Sequence, residues 1–238
     1  MIRAHMATFP IRSDVLPRAI DDICAQVDRL FLVLNEYDVI PDYILKNPRV
    51  EAIIPDEDLK DVGKFLFAPA PDDLVFFVDD DVKYPENFVS YSREMAQKVG
   101  LSDHVFGYHC SIYEKELEKG ANSREVLHLR KPVFEFMFVD QIATNAMMAL
   151  GKNVAPFSYM NGSQKFVDVR YAKWLFENGV SSVVLPRDRR FVHGMASAHP
   201  EDNSIWATFT RRSPQNVLEE IKSFAGKSPK VGEKVLEV

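Results

Sequence analysis

Two hydrophobic patterns alternate along the first hundred residues: short unbroken apolar runs, and stretches in which apolar positions recur every three or four residues. That alternation predicts an α/β fold of βαβ units, with a central mixed, mostly parallel sheet flanked by helices. Residues 2–8 predict a first strand, followed by a loop at 9–13 with Ser13 as the helix N-cap. Leu16, Ile20, Ile23, Val27 and Leu30 then form one stripe, and Pro17 is tolerated because it falls in the first turn. Residues 29–34 are an apolar run of the kind buried on both sheet faces, ending in Asn35, Glu36, Tyr37 and Asp38.

A third short strand is predicted at 50–54, a short helix or turn at 59–68, and a strand at 74–78 that runs straight into Asp79, Asp80 and Asp81. Phe88, Tyr91, Met95 and Val99 give a second helical stripe just after Pro85. Further on, the pattern predicts a strand at 105–108, a charged hairpin or excursion at 111–131 and a strand at 131–139. A helix at 167–178 closed by Gly179, a buried strand at 182–185 and a helix at 214–224 complete the series.

At 238 residues, 46% of them hydrophobic and 27% charged, the chain can bury one large core, which excludes wholesale disorder. Its net charge of −6 opposes sequence-independent binding to nucleic acid. Cys24 and Cys110 lie far apart in apolar surroundings and match no metal spacing, so free thiols and a cytoplasmic setting are expected. Neither a membrane-spanning run nor a secretory signal pattern is found.

The aspartate triplet changes the picture. Adjacent carboxylates repel and raise one another's pKa, so a cluster of them calls for positive charge. Mg²⁺ and Mn²⁺ take hard oxygen ligands, and Mg²⁺ uses one or two carboxylates together with substrate phosphates and water. In open α/β sheets ligands bind outside the carboxyl ends of the strands, where Asp79, Asp80 and Asp81 fall. A solvated acidic turn capping the next helix is the plainer alternative, and the strand-end position argues against it.

With these residues in view, the chain resembles glycosyltransferases of the GT-A fold, particularly the family-2-like enzymes of bacterial and viral surface-glycan synthesis. The resemblance is carried by Ala7-Thr8-Phe9-Pro10-Ile11-Arg12 at the first strand and loop, by Asp61-Val62-Gly63-Lys64-Phe65, and by the D-x-D segment at residues 76–85 with its following Tyr84-Pro85. It is good over about residues 2–100 and loose beyond. It implies a single GT-A domain, with a nucleotide-sugar half at about 1–110 and an acceptor half with C-terminal tail at about 111–238. A UDP- or GDP-sugar would be the donor and a glycan or lipid-linked molecule the acceptor, which leaves peripheral membrane contact open. By the same resemblance Asp79 and Asp80 would lie on the donor, Asp79 near the ribose, while Asp81 with Asp79, and with or without Asp80, would hold Mn²⁺ or Mg²⁺ against the diphosphate. Thr8, Pro10, Arg12, Asn35, Asp61 and Lys64 would surround the base and phosphates, and His193 would be a late metal ligand.

An inverting transfer needs a carboxylate to take the acceptor proton. Asp168, at the start of the helix predicted at 167–178, is the candidate, with helix capping as the plainer role and Asp140 in reserve. Arg187, Arg189 and Arg190 offer forks for phosphate or form a charged surface loop. Trp174 and Trp206 offer rings for a sugar, Trp174 reading more simply as core. A haloacid-dehalogenase-like phosphatase also places D-x-D after an apolar strand, but here Lys83 stands where that motif has Thr or Val, and the motif lies late in the chain. A nucleotide-sugar pyrophosphorylase would want a Gly-rich loop near the first strand, and no glycine precedes Gly63. A catalytically silent nucleotide- or sugar-binding module of the same fold is the remaining alternative.

Overall fold

The structure is a computed structural model and describes residues 1–195, 214–228 and 230–235. The first half runs β1 (Ile2–Thr8), α1 (Leu16–Cys24), β2 (Arg29–Leu34), α2 (Asp42–Leu45), β3 (Val50–Ile53), β4 (Leu74–Val78), β5 (Val82–Lys83) and α3 (Phe88–Val99). It continues with β6 (His104–Gly107), β7 (Cys110–Tyr113), β8 (Arg124–Leu127), β9 (Met137–Val139), β10 (Gln141–Ile142), β11 (Ala146–Leu150) and α4 (Phe157–Met160). The last described elements are α5 (Val167–Glu177), β12 (Ser181–Val184), β13 (His193–Gly194) and α6 (Gln215–Phe224).

Eight strands form the main sheet in the order β3-β2-β1-β4-β11-β6-β12-β9. Neighbours pair in parallel from β3 through β4 and again between β6 and β12, while β11 and β9 run against the rest. This is the Rossmann-like α/β arrangement that the alternating pattern predicts. The runs in β2 and β4 are unbroken because both faces are covered. In β4, Phe76 and Val78 pack with α1 and α3 on one face, while Val75 and Phe77 pack with Phe65, Tyr171 and Leu175 on the other.

Local chemistry moves several predicted boundaries. Ser13 does not cap α1. Pro10–Arg12 forms a 3₁₀ turn that leaves Ser13 at φ −53°, ψ −32°, whereas an N-cap needs extended backbone; Val15 precedes the helix instead. Of the strand expected at 131–139 only Met137–Val139 forms, with Val133 making an isolated bridge to Arg187, since Pro132 has no N–H to donate. The 111–131 excursion is the β7–β8 hairpin, which joins β10 in a three-stranded sheet. Lys60–Phe65 is a 3₁₀ turn docked on β2 through Gly63, where an added Cβ would lie 2.9 Å from Val33 Cγ1. Both cysteines are buried and unpaired, and among the described residues no helix is long and apolar enough to cross a membrane.

Candidate active site

Parallel strands β1, β2 and β4 end together, and their carboxyl ends carry the chemistry. Thr8 closes β1, Asn35 follows β2 with its N–H on the Thr8 carbonyl at 2.9 Å, and Asp79, Asp80 and Asp81 follow β4. They border a cavity of about 1020 Å³ that extends across the sheet to the β7–β8–β10 hairpin sheet and the start of α5. Such a volume lies at the upper end of ordinary ligand clefts.

Each aspartate has its own partner from a different element. Asp80 accepts from Thr8 Oγ1 at 2.6 Å. Asp81 Oδ2 lies 2.5 Å from Arg12 Nη1 as an ion pair that lacks hydrogen-bond alignment. Asp79 accepts from Lys64 Nζ, and its N–H donates to the Tyr84 hydroxyl at 2.8 Å. Tyr84 passes its own proton to the Asn145 carbonyl at 2.5 Å and so ties β4 to β11.

Burial pushes the Asp80 carboxyl up to about 7, against the pull of Thr8 and Arg12. It raises Asp79 as well, opposed by Lys64. Burial also works against the Lys64 ammonium, but Asp79, Asp168 and Asp61 outweigh it and hold that pKa above its ordinary value. Arg12 is likewise raised, its burial offset by Asp81 and Asp80.

Lys64 is the hub. Its backbone carbonyl accepts from His5 Nδ1 at 2.7 Å, and Arg3 Nε donates to His5 Nε2 at 2.9 Å, which fixes a neutral His5. Burial lowers the pKa of His5 to about 3. Besides Asp79, the Lys64 ammonium donates to the Thr144 carbonyl at 3.0 Å. Thr144 then donates to Asp168 Oδ1 from both its N–H and its hydroxyl, each at 2.8 Å. Asp168 therefore makes no cap to its own helix, and among the described residues no donor reaches its second oxygen. Asp61 Oδ1 accepts from the Lys165 N–H at 2.8 Å, joining the Lys64 turn to the loop before α5. Burial raises the Asp61 carboxyl to about 6.

Of the residues singled out in the sequence, Thr8, Arg12, Asn35, Asp61, Lys64, Asp79, Asp80, Asp81 and Asp168 border this one cavity. Pro10 does not border it, and Asn35 uses both amide atoms to clamp the Leu59–Lys60 backbone. His193 lies off the lining, opposite Lys83 in the β5–β13 pair, with Nδ1 donating to the Arg190 carbonyl at 3.2 Å. Asp140 is away from the cavity, both oxygens accepting backbone N–H groups of Tyr113 and Gly226. Trp174 stacks on Tyr171 against the core, while Trp206 lies outside the described residues. Glu36, Lys60 and Lys165, at φ of 60°, 50° and 77°, are non-glycine residues in the left-handed region, and all three border the cavity. Strain of this kind persists where surrounding structure holds it, commonly at sites of function.

Sequence reasoning missed Thr144, Asn145, His109 and Arg124, which also border the cavity. His109 carried a signal, since it stands just past the carboxyl end of β6. For a divalent cation the donor set suits a hard ion only in part. Among the described residues no three His, Cys, Asp or Glu side chains converge to cage a metal. Asp79 and Asp81 keep about a third of their side-chain surface exposed, 32% and 33%, and are the carboxylates able to face an ion that arrives with substrate oxygens.

No protein-family model matches the chain, and no curated protein matches it in sequence. Among solved structures it is similar to S. aureus TarS, with a TM-score of 0.44 and 11% sequence identity. The likeness covers 82% of this chain and 37% of that one.

Proposed function

We propose that the chain is a glycosyltransferase that moves a sugar from a nucleotide-sugar donor to an acceptor hydroxyl, with Asp168 as the base. The observation that carries the reading is the Lys64–Thr144–Asp168 connection, which links the strand-end aspartates to a carboxylate in the same cavity whose second oxygen meets no donor among the described residues. In the reaction the acceptor oxygen bonds to the anomeric carbon, its proton passes to Asp168, and the bond to the diphosphate breaks with the electron pair leaving on the phosphate. Such a single displacement inverts the anomeric centre. Thr8, Arg12 and Lys64, with Asp79 and Asp80, would receive the nucleotide and its phosphates. A divalent ion, Mn²⁺ or Mg²⁺, would be held by Asp81 and Asp79 and supply neutralisation of the departing diphosphate. His193 would join only through a shift of the β5–β13 pair, so Asp79 and Asp81 are the ligands assigned here.

A calorimetric series with UDP- and GDP-sugars, with and without Mn²⁺, tests the reading. Wild type should bind one donor in a Mn²⁺-dependent way, Asp81→Ala should lose that dependence, and Asp168→Asn should bind the donor while losing turnover. Binding without any transfer or donor hydrolysis in wild type would favour the silent binding module. Normal turnover by Asp168→Asn would remove it as base.

A further inference from the structure

The far wall of the cavity differs in charge from the aspartate wall. On the aspartate side Arg12 has Asp81, Lys64 has Asp79 and Lys60 has Asp58 as a carboxylate partner. Across the cavity stand Arg124 of β8, His109 and His128, with Arg187, Arg130 and Lys131 close behind. None of these four arginine and lysine side chains takes part in an ion pair among the described residues. In a chain of net charge −6 this is a local excess of positive charge without its counter-anion.

Arg187 makes the point sharpest. It is 3% exposed; Nη2 donates to the carbonyls of Leu127 and His128 at 3.3 and 3.0 Å, and Nε has no partner. With carbonyl oxygens and the Tyr108 ring face as its partners, this buried guanidinium carries charge that a nearby anion would offset. Arg124 is oriented rather than neutralised. Its Nη1 donates to the Tyr113 hydroxyl at 3.2 Å, and that hydroxyl donates onward to Gln141 Oε1 at 2.7 Å. His109 and His128 lie ring to ring at 4.8 Å, and the Asn145 amide nitrogen donates to His109 Nδ1 at 3.2 Å, leaving Nε2 of a neutral His109 as a donor. The charged groups that act on the two histidines are cationic: His128, Arg124 and Arg187 on His109, and Arg130, Arg187 and Lys131 on His128. Donors without acceptors and cations without carboxylates are the lining of an anion subsite.

We propose that the acceptor carries an anionic group, phosphoryl or carboxylate, received by Arg124 and His128 with Arg187 behind them. The assignment to an acceptor rests on the glycosyltransferase reading; the anion subsite itself does not.

The test is an NMR titration of the histidine-labelled full chain with inorganic phosphate, methyl phosphate and acetate, with glycerol as the uncharged control. The His128 and His109 ring signals should shift saturably with phosphate or acetate and not with glycerol. The stronger of the two anions identifies the phosphoryl or the carboxylate source. Arg124→Gln should weaken that binding about tenfold or more, Arg124→Lys less, and Arg29→Gln, exposed away from the cavity, not at all. Absence of a saturable shift in wild type would overturn the subsite, as would equal affinity in Arg124→Gln or stronger dependence on Arg29. UDP and GDP binding with Mn²⁺, measured on the same samples, separates the two claims. Nucleotide binding without a histidine response sinks only the anionic subsite, and a histidine response without nucleotide binding sinks only the transferase reading.

Discussion

Replacing Thr144 by Val removes one hydroxyl and keeps the shape. Thr144 is 2% exposed, so the added methyl meets no solvent, and the backbone N–H on Asp168 Oδ1 and the carbonyl under Lys64 stay in place. What is lost is the hydroxyl bond to Asp168 at 2.8 Å, one of the two that orient the carboxylate, together with a long 3.5 Å contact from Lys64 Nζ. A hydrogen bond to a charged group contributes about 1.5–3 kcal/mol. If it serves to hold Asp168 against the acceptor oxygen, turnover should fall between about tenfold and a hundredfold, since about 1.4 kcal/mol corresponds to a factor of ten. Donor affinity should not move, because the role lies in orienting the base. Thr144→Ser, which restores the hydroxyl, should recover most of the rate, a rescue that a purely structural role would not give. The assay is steady-state transfer, or donor hydrolysis, with the donor dissociation constant read separately by calorimetry. A Thr144→Val enzyme within twofold of wild type, while Asp168→Asn is inactive, would refute the positioning argument.

The buried pair makes a stability prediction. Lys64→Met leaves Asp79 uncompensated beside Asp81 and Asp168 and should cost about 3 kcal/mol, at the low end for a broken buried pair because the Asp79 side chain is 32% exposed. Adding Asp79→Asn should recover most of that loss in denaturant melts, and a single variant as stable as wild type would contradict it. Asp61 predicts a pH dependence. Its folded pKa of about 6 lies above the ordinary 3.8, so the native state binds more protons between those values and stability from this group falls as pH rises through that window. Asp61→Asn still accepts from the Lys165 N–H and removes the penalty. The variant should gain at most about 3 kcal/mol at pH 7, at about 1.4 kcal/mol for each of roughly two pH units, and nothing below about pH 4. Melts at several pH values that show a constant difference would exclude the mechanism.

How far the site was readable in the sequence depended on whether a residue's meaning is set locally. The runs at Arg29–Leu34 and Leu74–Val78 were legible because a strand covered on both faces must be apolar throughout, and the aspartates were legible because they follow such a run. Strand β11 was not. Ala146-Met147-Met148-Ala149-Leu150 has no β-branched or aromatic residue, and only its place between β4 and β6 makes it a strand. With β11 unseen, Thr144 and Asn145 just before it had no position, so the donor to Asp168, 24 residues away, could not be found. Arg187 misled in the opposite sense, because a basic stretch reads as solvated surface until the Val133 bridge shows it folded beneath the hairpin sheet.

On the proposed reading, the charge around the aspartate triplet bears on why a divalent ion would accompany the donor. Two cations, Arg12 and Lys64, face three carboxylates, and Asp80, raised by burial to about 7, is only partly ionised near neutral pH. The triplet and its two partners are thus close to neutral together, and both cations are already engaged. A nucleoside diphosphate bound there would bring more than one negative charge, and neither Arg12 nor Lys64 is free to balance it. Either Arg12 and Lys64 turn from Asp81 and Asp79 to the phosphates, exposing two carboxylates beside them, or a divalent ion arrives between carboxylate and phosphate. Both routes end with Asp79 and Asp81 beside the diphosphate in need of positive charge. Mn²⁺-dependent affinity should therefore vanish with Asp81 and not with Asp80, which Thr8 already holds and burial keeps partly neutral.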